Sequence, residues 1–142
     1  MSKKIIMALI LVLIIAGGGF YAYQKGYFSK KAEILTPANL LSSFNLKNPS
    51  LSPEAVGLFQ QRFSETKEKL QKNSDSFDDW LYAGVLKKGV GDYEGARDIF
   101  IYAGRLRPQS STPFANLADL YTYFLNDPAK AEESIKKAIT ND

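Results

Sequence analysis

The sequence predicts an all-α chain in which an N-terminal transmembrane helix precedes a short solenoid of α-α hairpins. Three observations predict it. Ile5 to Tyr23 is a run of 19 residues without a charge. Beyond residue 52, apolar residues recur at helical spacing. Two stretches of the C-terminal half also repeat each other at 34 to 35 residues, the period of a two-helix unit.

The apolar run is the first element. As a helix it extends roughly 28 Å, close to the ~30 Å hydrocarbon thickness of a bilayer. Tyr21, Tyr23 and Tyr27 stand where an interfacial aromatic belt is expected. The triplet Gly17-Gly18-Gly19 weakens the helix, but lacks the four-residue spacing of a helix-dimerisation signal. A cleaved signal peptide is the alternative, with Lys3-Lys4 as its basic start, Ile5–Ala16 as its apolar core and Ala16-Gly17-Gly18 as small residues for cleavage. Against cleavage, the apolar run continues through Tyr23. Lysines on the two flanks nearly balance, so the positive-inside comparison is close to a tie. A very short N-terminal tail usually stays cytoplasmic, which favours an extracytoplasmic domain.

Charge divides along the same line. Residues 1–31 carry five Lys and no acid, whereas residues 32–142 carry 13 basic against 15 acidic residues, a net charge of −2. The basic character therefore belongs to the flanks of the apolar segment and reads as membrane-surface anchoring. No basic stripe remains for a nucleic acid. The chain has no Cys and no His, which removes disulfides, thiolate nucleophiles, a lipid-modified cysteine, the usual zinc sites and the usual general base.

The chain divides into three regions: a tail and anchor over 1–28, a linker over 29–52, and a helical domain over 53–142. Within the linker, Thr36 and Pro37 suit the start of a short helix reaching toward Phe44. Ser52-Pro53-Glu54 opens the first long helix, where Leu58, Phe59, Phe63, Thr66 and Leu70 keep helical spacing to about Lys72. Four further helices are expected at about 77–89, 93–106, 112–125 and 128–140. Ser76 and Asp79 have the spacing of a variant capping box, and Pro108 stops the helix before it.

The repeat is explicit in the residues. Trp80, Ala83, Gly84 and Lys87 correspond to Phe114, Leu117, Ala118 and Tyr121, 34 positions on. Ala96, Phe100 and Ala103 correspond to Ala131, Ile135 and Ala138, 35 positions on. The extra residue falls in the turn, where Leu125-Asn126-Asp127-Pro128 is longer than Val90-Gly91-Asp92. Small residues let the helices approach, while Trp80, Phe100, Phe114, Tyr121 and Ile135 are expected to fill the spaces between them.

These residues resemble the tetratricopeptide repeat family over residues 77–140, as one repeat at 77–110 and a second at 111–140. The first copy offers Trp80, Gly84, Gly91-Asp92-Tyr93, Ala96, Phe100, Ala103 and Pro108; it departs at Ala83, where the family expects Leu, and at Lys87, where it expects Tyr. The second copy supplies Leu117 and Tyr121 but has Phe114, Ala118 and Ile135 for Trp, Gly and Phe. The resemblance implies a shallow groove lined by the first helix of each repeat, and hence a protein or peptide partner. Its groove residues would be Leu81, Val85 and Lys88 in the first copy, with Ala115, Asp119, Thr122 and Tyr123 in the second. The Lys and Asn set with which some members grip a C-terminal carboxylate is not matched, since Lys88 and Asn116 stand alone.

Reactive groups do not converge. Asp78-Asp79 and Glu132-Glu133 fall near helix starts, where the helix dipole favours acids. Neither Gly17-Gly18-Gly19 nor Gly89-x-Gly91 is followed by the Gly-Lys-Ser/Thr of a phosphate loop. No catalytic residue, cofactor or metal is therefore assigned. The expected function is an interaction module held at a membrane, serving an envelope, secretion or assembly complex, with a passive subunit of a membrane-associated oligomer as the alternative. Only two repeats are clear where about three normally give a stable stack, so helix 53–72 or a further subunit is expected to cover the deficit.

Overall fold

Local signals place each helix before any tertiary contact is considered. A computed structural model describes residues 35–141, which belong to the unit Leu35–Asp142. Its elements are α1 (Pro37–Leu40), α2 (Pro53–Lys72), α3 (Phe77–Gly89), α4 (Tyr93–Leu106), α5 (Thr112–Tyr123) and α6 (Pro128–Thr140). All the described regular structure is helical. The expected anchor over Ile5–Tyr23, its orientation and the cleavage alternative lie outside the described residues. Among those residues, no helix is long and apolar enough to cross a membrane.

Side-chain oxygens cap four of the helix starts. Thr36 accepts from the Asn39 N–H, Ser52 from Ala55, Asp92 from Gly95 and Asp127 from Lys130. Each satisfies one of the N–H groups that the first turn leaves unbonded. Pro37, Pro53, Pro113 and Pro128 occupy opening positions, where their missing N–H costs nothing. The capping box expected at Ser76 does not form. Ser76 Oγ donates to the Asp79 carboxylate at 2.5 Å and bonds no backbone N–H.

Two helices end earlier than the periodicity suggests. The chain leaves α1 after Leu40, with Leu40 and Leu41 buried and the Phe44 ring 5.1 Å from that of Phe63. α5 stops at Tyr123: the Phe124 N–H still bonds the Leu120 carbonyl four residues back, but the Leu125 N–H turns to that same carbonyl at 2.9 Å instead of continuing the ladder. Asn126 then takes a φ of 50°, and Leu125 packs inward. Gly91 holds the matching place in the first turn, with a φ of 82°. Both residues immediately precede a capping Asp, so the turns share one device despite their different lengths.

The helices pack in sequence order, most extensively as the hairpins α3–α4 and α5–α6, and then α4 on α5 and α2 on α3. Two apolar clusters result. Phe63, Leu70, Phe77, Trp80, Leu86, Ile99 and Ala103 form the first; Ala96, Phe100, Leu117, Leu120, Tyr121 and Ala131 form the second. α4 serves both, through Ile99 and Ala103 on one face and Ala96 and Phe100 on another. A Cβ added at Gly84 would lie 2.5 Å from the Phe100 ring, so the bare backbone of α3 is what admits that ring. Trp80 is fully buried, its Nε1 donates to the Ser74 carbonyl at 2.8 Å, and its ring centroid lies 4.6 Å from that of Tyr102.

Ile135 departs from its expected role. It stands where Phe100 stands in the first copy, yet it is 45% exposed. Phe100 is covered by the next hairpin, whereas no described helix comes after α6 to cover Ile135 or Ile139. Ala138 is likewise only half-buried.

The segment read as linker is part of the packed unit from Leu35 onward. Leu40 and Leu41 enter the first cluster, and the Lys47 and Asn48 N–H groups both donate to the Val90 carbonyl at 2.9 Å. The Lys47 ammonium reaches Glu94 at 2.8 Å and Asp92 at 3.3 Å. Its hydrogen bond to Glu94 raises the Lys47 pKa and holds the Glu94 carboxyl below its usual range. Behind this contact Lys87 is buried with its ammonium 3.1 Å from Asp92. The capping Asp92 thus supplies the counter-charge of a buried ammonium.

These contacts set two expected outcomes. Trp80→Ala should cost about 3–5 kcal/mol in chemical denaturation, and a loss below about 1 kcal/mol would contradict its burial between helices. Asp92→Ala should also cost about 3–5 kcal/mol, because it leaves the Lys87 charge buried without its counter-ion and α4 without its cap. The double variant Lys87→Met/Asp92→Asn should recover much of that loss. Equal stability of the single and double variants would show that burial of the unpaired charge is not the cause.

Candidate functional site

α3 and α5 are the leading helices of the two hairpins, and the seven inferred groove residues project from them. Leu81 is half-buried and packs against both apolar clusters, so it serves as mortar between the hairpins. Val85, one turn further, is 47% exposed. Lys88 of α3 forms an ion pair with Asp119 of α5, the two side chains being 29% and 37% exposed. Ala115 and Thr122 are exposed, and the Thr122 hydroxyl is spent on the Ala118 carbonyl at 2.7 Å. Tyr123 is 72% exposed, the largest aromatic surface on α5.

The structure joins Lys88 and Asp119 directly and adds two residues to them. The Phe124 ring stacks on Tyr93, with centroids 4.3 Å apart and planes inclined by 27°. The Lys88 ammonium lies 5.5 Å from the centre of the Phe124 ring, within cation–π range. Phe124 escapes a reading by periodicity, which carries α5 past it. The early end of α5 frees its ring to turn toward Tyr93. A pair of consecutive aromatics ahead of Asn126-Asp127-Pro128 is the available signal, since that turn sequence makes a helix end there.

A partly exposed ion pair of this kind adds little stability. It does fix where charge sits on the face: one cation and one anion at the centre, with Val85 and Tyr123 nearby. Such an arrangement can bury apolar side chains and orient a polar backbone. It has no nucleophile with an adjacent base, and among the described residues no three acidic groups are placed to hold a metal ion.

A separate cleft of about 630 Å³ lies between α4, α5 and α6. Phe114, Leu117 and Tyr121 line it from α5. At 100° per residue these positions point about 150° away from Ala115, Asp119, Thr122 and Tyr123, so the cleft and the inferred groove use roughly opposite faces of α5. Burial raises the pKa of the Tyr121 phenol, which keeps it in its neutral, donating form.

Compared with family models, with curated proteins and with solved structures, the chain matches none.

Proposed function

We propose that the chain is a membrane-anchored protein–protein interaction module, a tetratricopeptide-type adaptor that presents a partner groove along α3 and α5 and serves an envelope, secretion or assembly complex. One observation carries this reading: Val85, Tyr123 and Phe124 leave 47%, 72% and 40% of their surface exposed beside the Lys88–Asp119 pair. Large apolar side chains gathered around a polar centre have the composition of a recognition surface. The matched capping residues Asp92 and Asp127, and the close approach at Gly84, support the repeat assignment. Anchoring rests on the charge-free run Ile5–Tyr23 and its lysine flanks. The exposed Ile135 and Ile139 favour a second reading, a subunit braced through α6 inside a larger membrane-associated oligomer.

The full-length protein should stay in the membrane fraction after high-salt and alkaline washing, with its N-terminus intact. Release of a protein beginning near Gly19 would replace the anchor with a cleaved leader.

Val85→Glu combined with Tyr123→Glu should abolish partner capture from native membranes without unfolding the domain. Both positions are exposed in the free protein, so the new carboxylates stay hydrated at little cost. In a complex they would be desolvated without a counter-charge, a penalty of several kcal/mol, or about a thousandfold in affinity. Gly84→Glu should lose folding and capture together, because Phe100 occupies the space its side chain needs. A groove variant that melts like the parent and captures every parental partner would move recognition to another surface. If Ile135→Glu with Ile139→Glu then disperses the assembly, the subunit reading takes its place.

A further inference from the structure

The cleft between α4, α5 and α6 has no part in the groove on the other face of α5. Its floor is apolar and aromatic, made by Ile101, Leu117, Phe114 and Tyr121. Gly104 keeps that floor open, since a Cβ there would already stand 3.2 Å from the Phe114 ring. A volume of about 630 Å³ is enough for one or two large side chains of a bound segment.

The walls carry the charge. Arg105, Lys130 and Lys137 face Glu133 and, paired with Lys130, Asp127, a net charge of +1 on a unit, Leu35–Asp142, whose 13 basic and 14 acidic residues sum to −1. Lys137 is held by Glu133 at 2.8 Å and Lys130 by Asp127 at 2.5 Å. Their ammonium groups lie 5.7 Å from the Phe114 ring centre and 5.6 Å from that of Tyr121. Arg105 is exposed and forms no ion pair among the described residues. Cations therefore stand over both floor rings, and an uncommitted guanidinium stands at the rim.

We propose that this cleft is a second docking site, distinct from the groove, for an acidic peptide segment that buries a leucine or aromatic side chain between Phe114 and Tyr121 while its flanking carboxylates meet Arg105, Lys130 and Lys137. Arg105 supplies the two-pronged donor geometry that suits a carboxylate. The lysines lie close enough to exchange their internal acids for those of the peptide, at little cost for the exposed Lys137–Glu133 pair and at more for Lys130, whose partner Asp127 is only 31% exposed. Charge complementarity selects the partner's sign, and the aromatic floor selects its anchor.

The test uses the full-length protein in a mild non-ionic detergent, with empty micelles as the blank. Fluorescently labelled peptides carry leucine and phenylalanine anchors flanked either by Asp and Glu or by Lys. Anisotropy should show saturable binding of the acidic peptide, weakened by added salt and at least about tenfold tighter than that of the lysine-flanked peptide. Arg105→Glu should weaken it by about tenfold or more, Arg105→Lys, which keeps the charge but not the fork, should weaken it by less than Arg105→Glu, and the Val85→Glu/Tyr123→Glu groove variant should bind as the parent does. Equal affinity for both peptides, or unchanged binding by Arg105→Glu, would overturn the proposal. So would binding lost in the groove variant but kept in Arg105→Glu, which places the peptide in the groove. Saturable binding of dodecanoate without any of the acidic peptide would assign the cleft to a small amphiphile and overturn the peptide as occupant. Failure of these peptides leaves partner capture through the groove untouched, because that reading is tested by different variants.

Discussion

The unit depends on one close approach, the Phe100 ring against the bare backbone of Gly84. Because α3 offers no side chain there, α4 settles near enough to bury Ile99 and Ala103 in one cluster and Ala96 and Phe100 in the other. One helix thereby closes two cores. The second hairpin packs on α4, and the positions of the proposed groove and of the cleft both depend on where α5 then lies. A larger residue at position 84 would push α4 outward and disturb both clusters at once, because interiors at crystal-like density have little slack to absorb it.

Most of the helical pattern is legible because its signals are local. α2, α3, α4 and α6 cover the residues expected from periodicity and from Ser52-Pro53, Gly91-Asp92 and Asp127-Pro128. The ends that periodicity misplaces, at Leu40 and Tyr123, are set instead by where Phe44 and Leu125 find packing partners. The capping box at Ser76 is suggested by spacing alone, yet the hydroxyl donates to the Asp79 carboxylate and accepts from no backbone N–H. Correspondence with Phe100 places Ile135 in the interior, yet burial requires another helix to pack over the position.

Longer-range features are less legible. The place of Lys87 in the interior depends on Asp92 five residues on, across a turn, and Lys47 joins the same acid from a segment that reads as linker. No periodicity links the three. At the groove, the sequence proposes Lys88 and Asp119 separately, and their pairing appears only once α3 and α5 are placed. The cleft is hidden in the sequence because three of its four floor residues belong to the internal repeat. Phe114 and Tyr121 read as filling between helices and Leu117 as a matching repeat position, and only the spacing of α4 from α6 leaves room above them.

Trp80 is the sole tryptophan in the chain, and it lies sealed between the first helices with its indole N–H committed to a carbonyl. The aromatic residues of the groove and of the cleft are tyrosines and phenylalanines. Light absorbed by the indole therefore reports on the interior of the first hairpin and on neither surface directly. A buried, hydrogen-bonded indole should emit to the blue of a hydrated one and redden when water reaches the interior. Occupation of either surface leaves the colour of that emission largely unchanged. The protein carries its own optical separation between being folded and being bound.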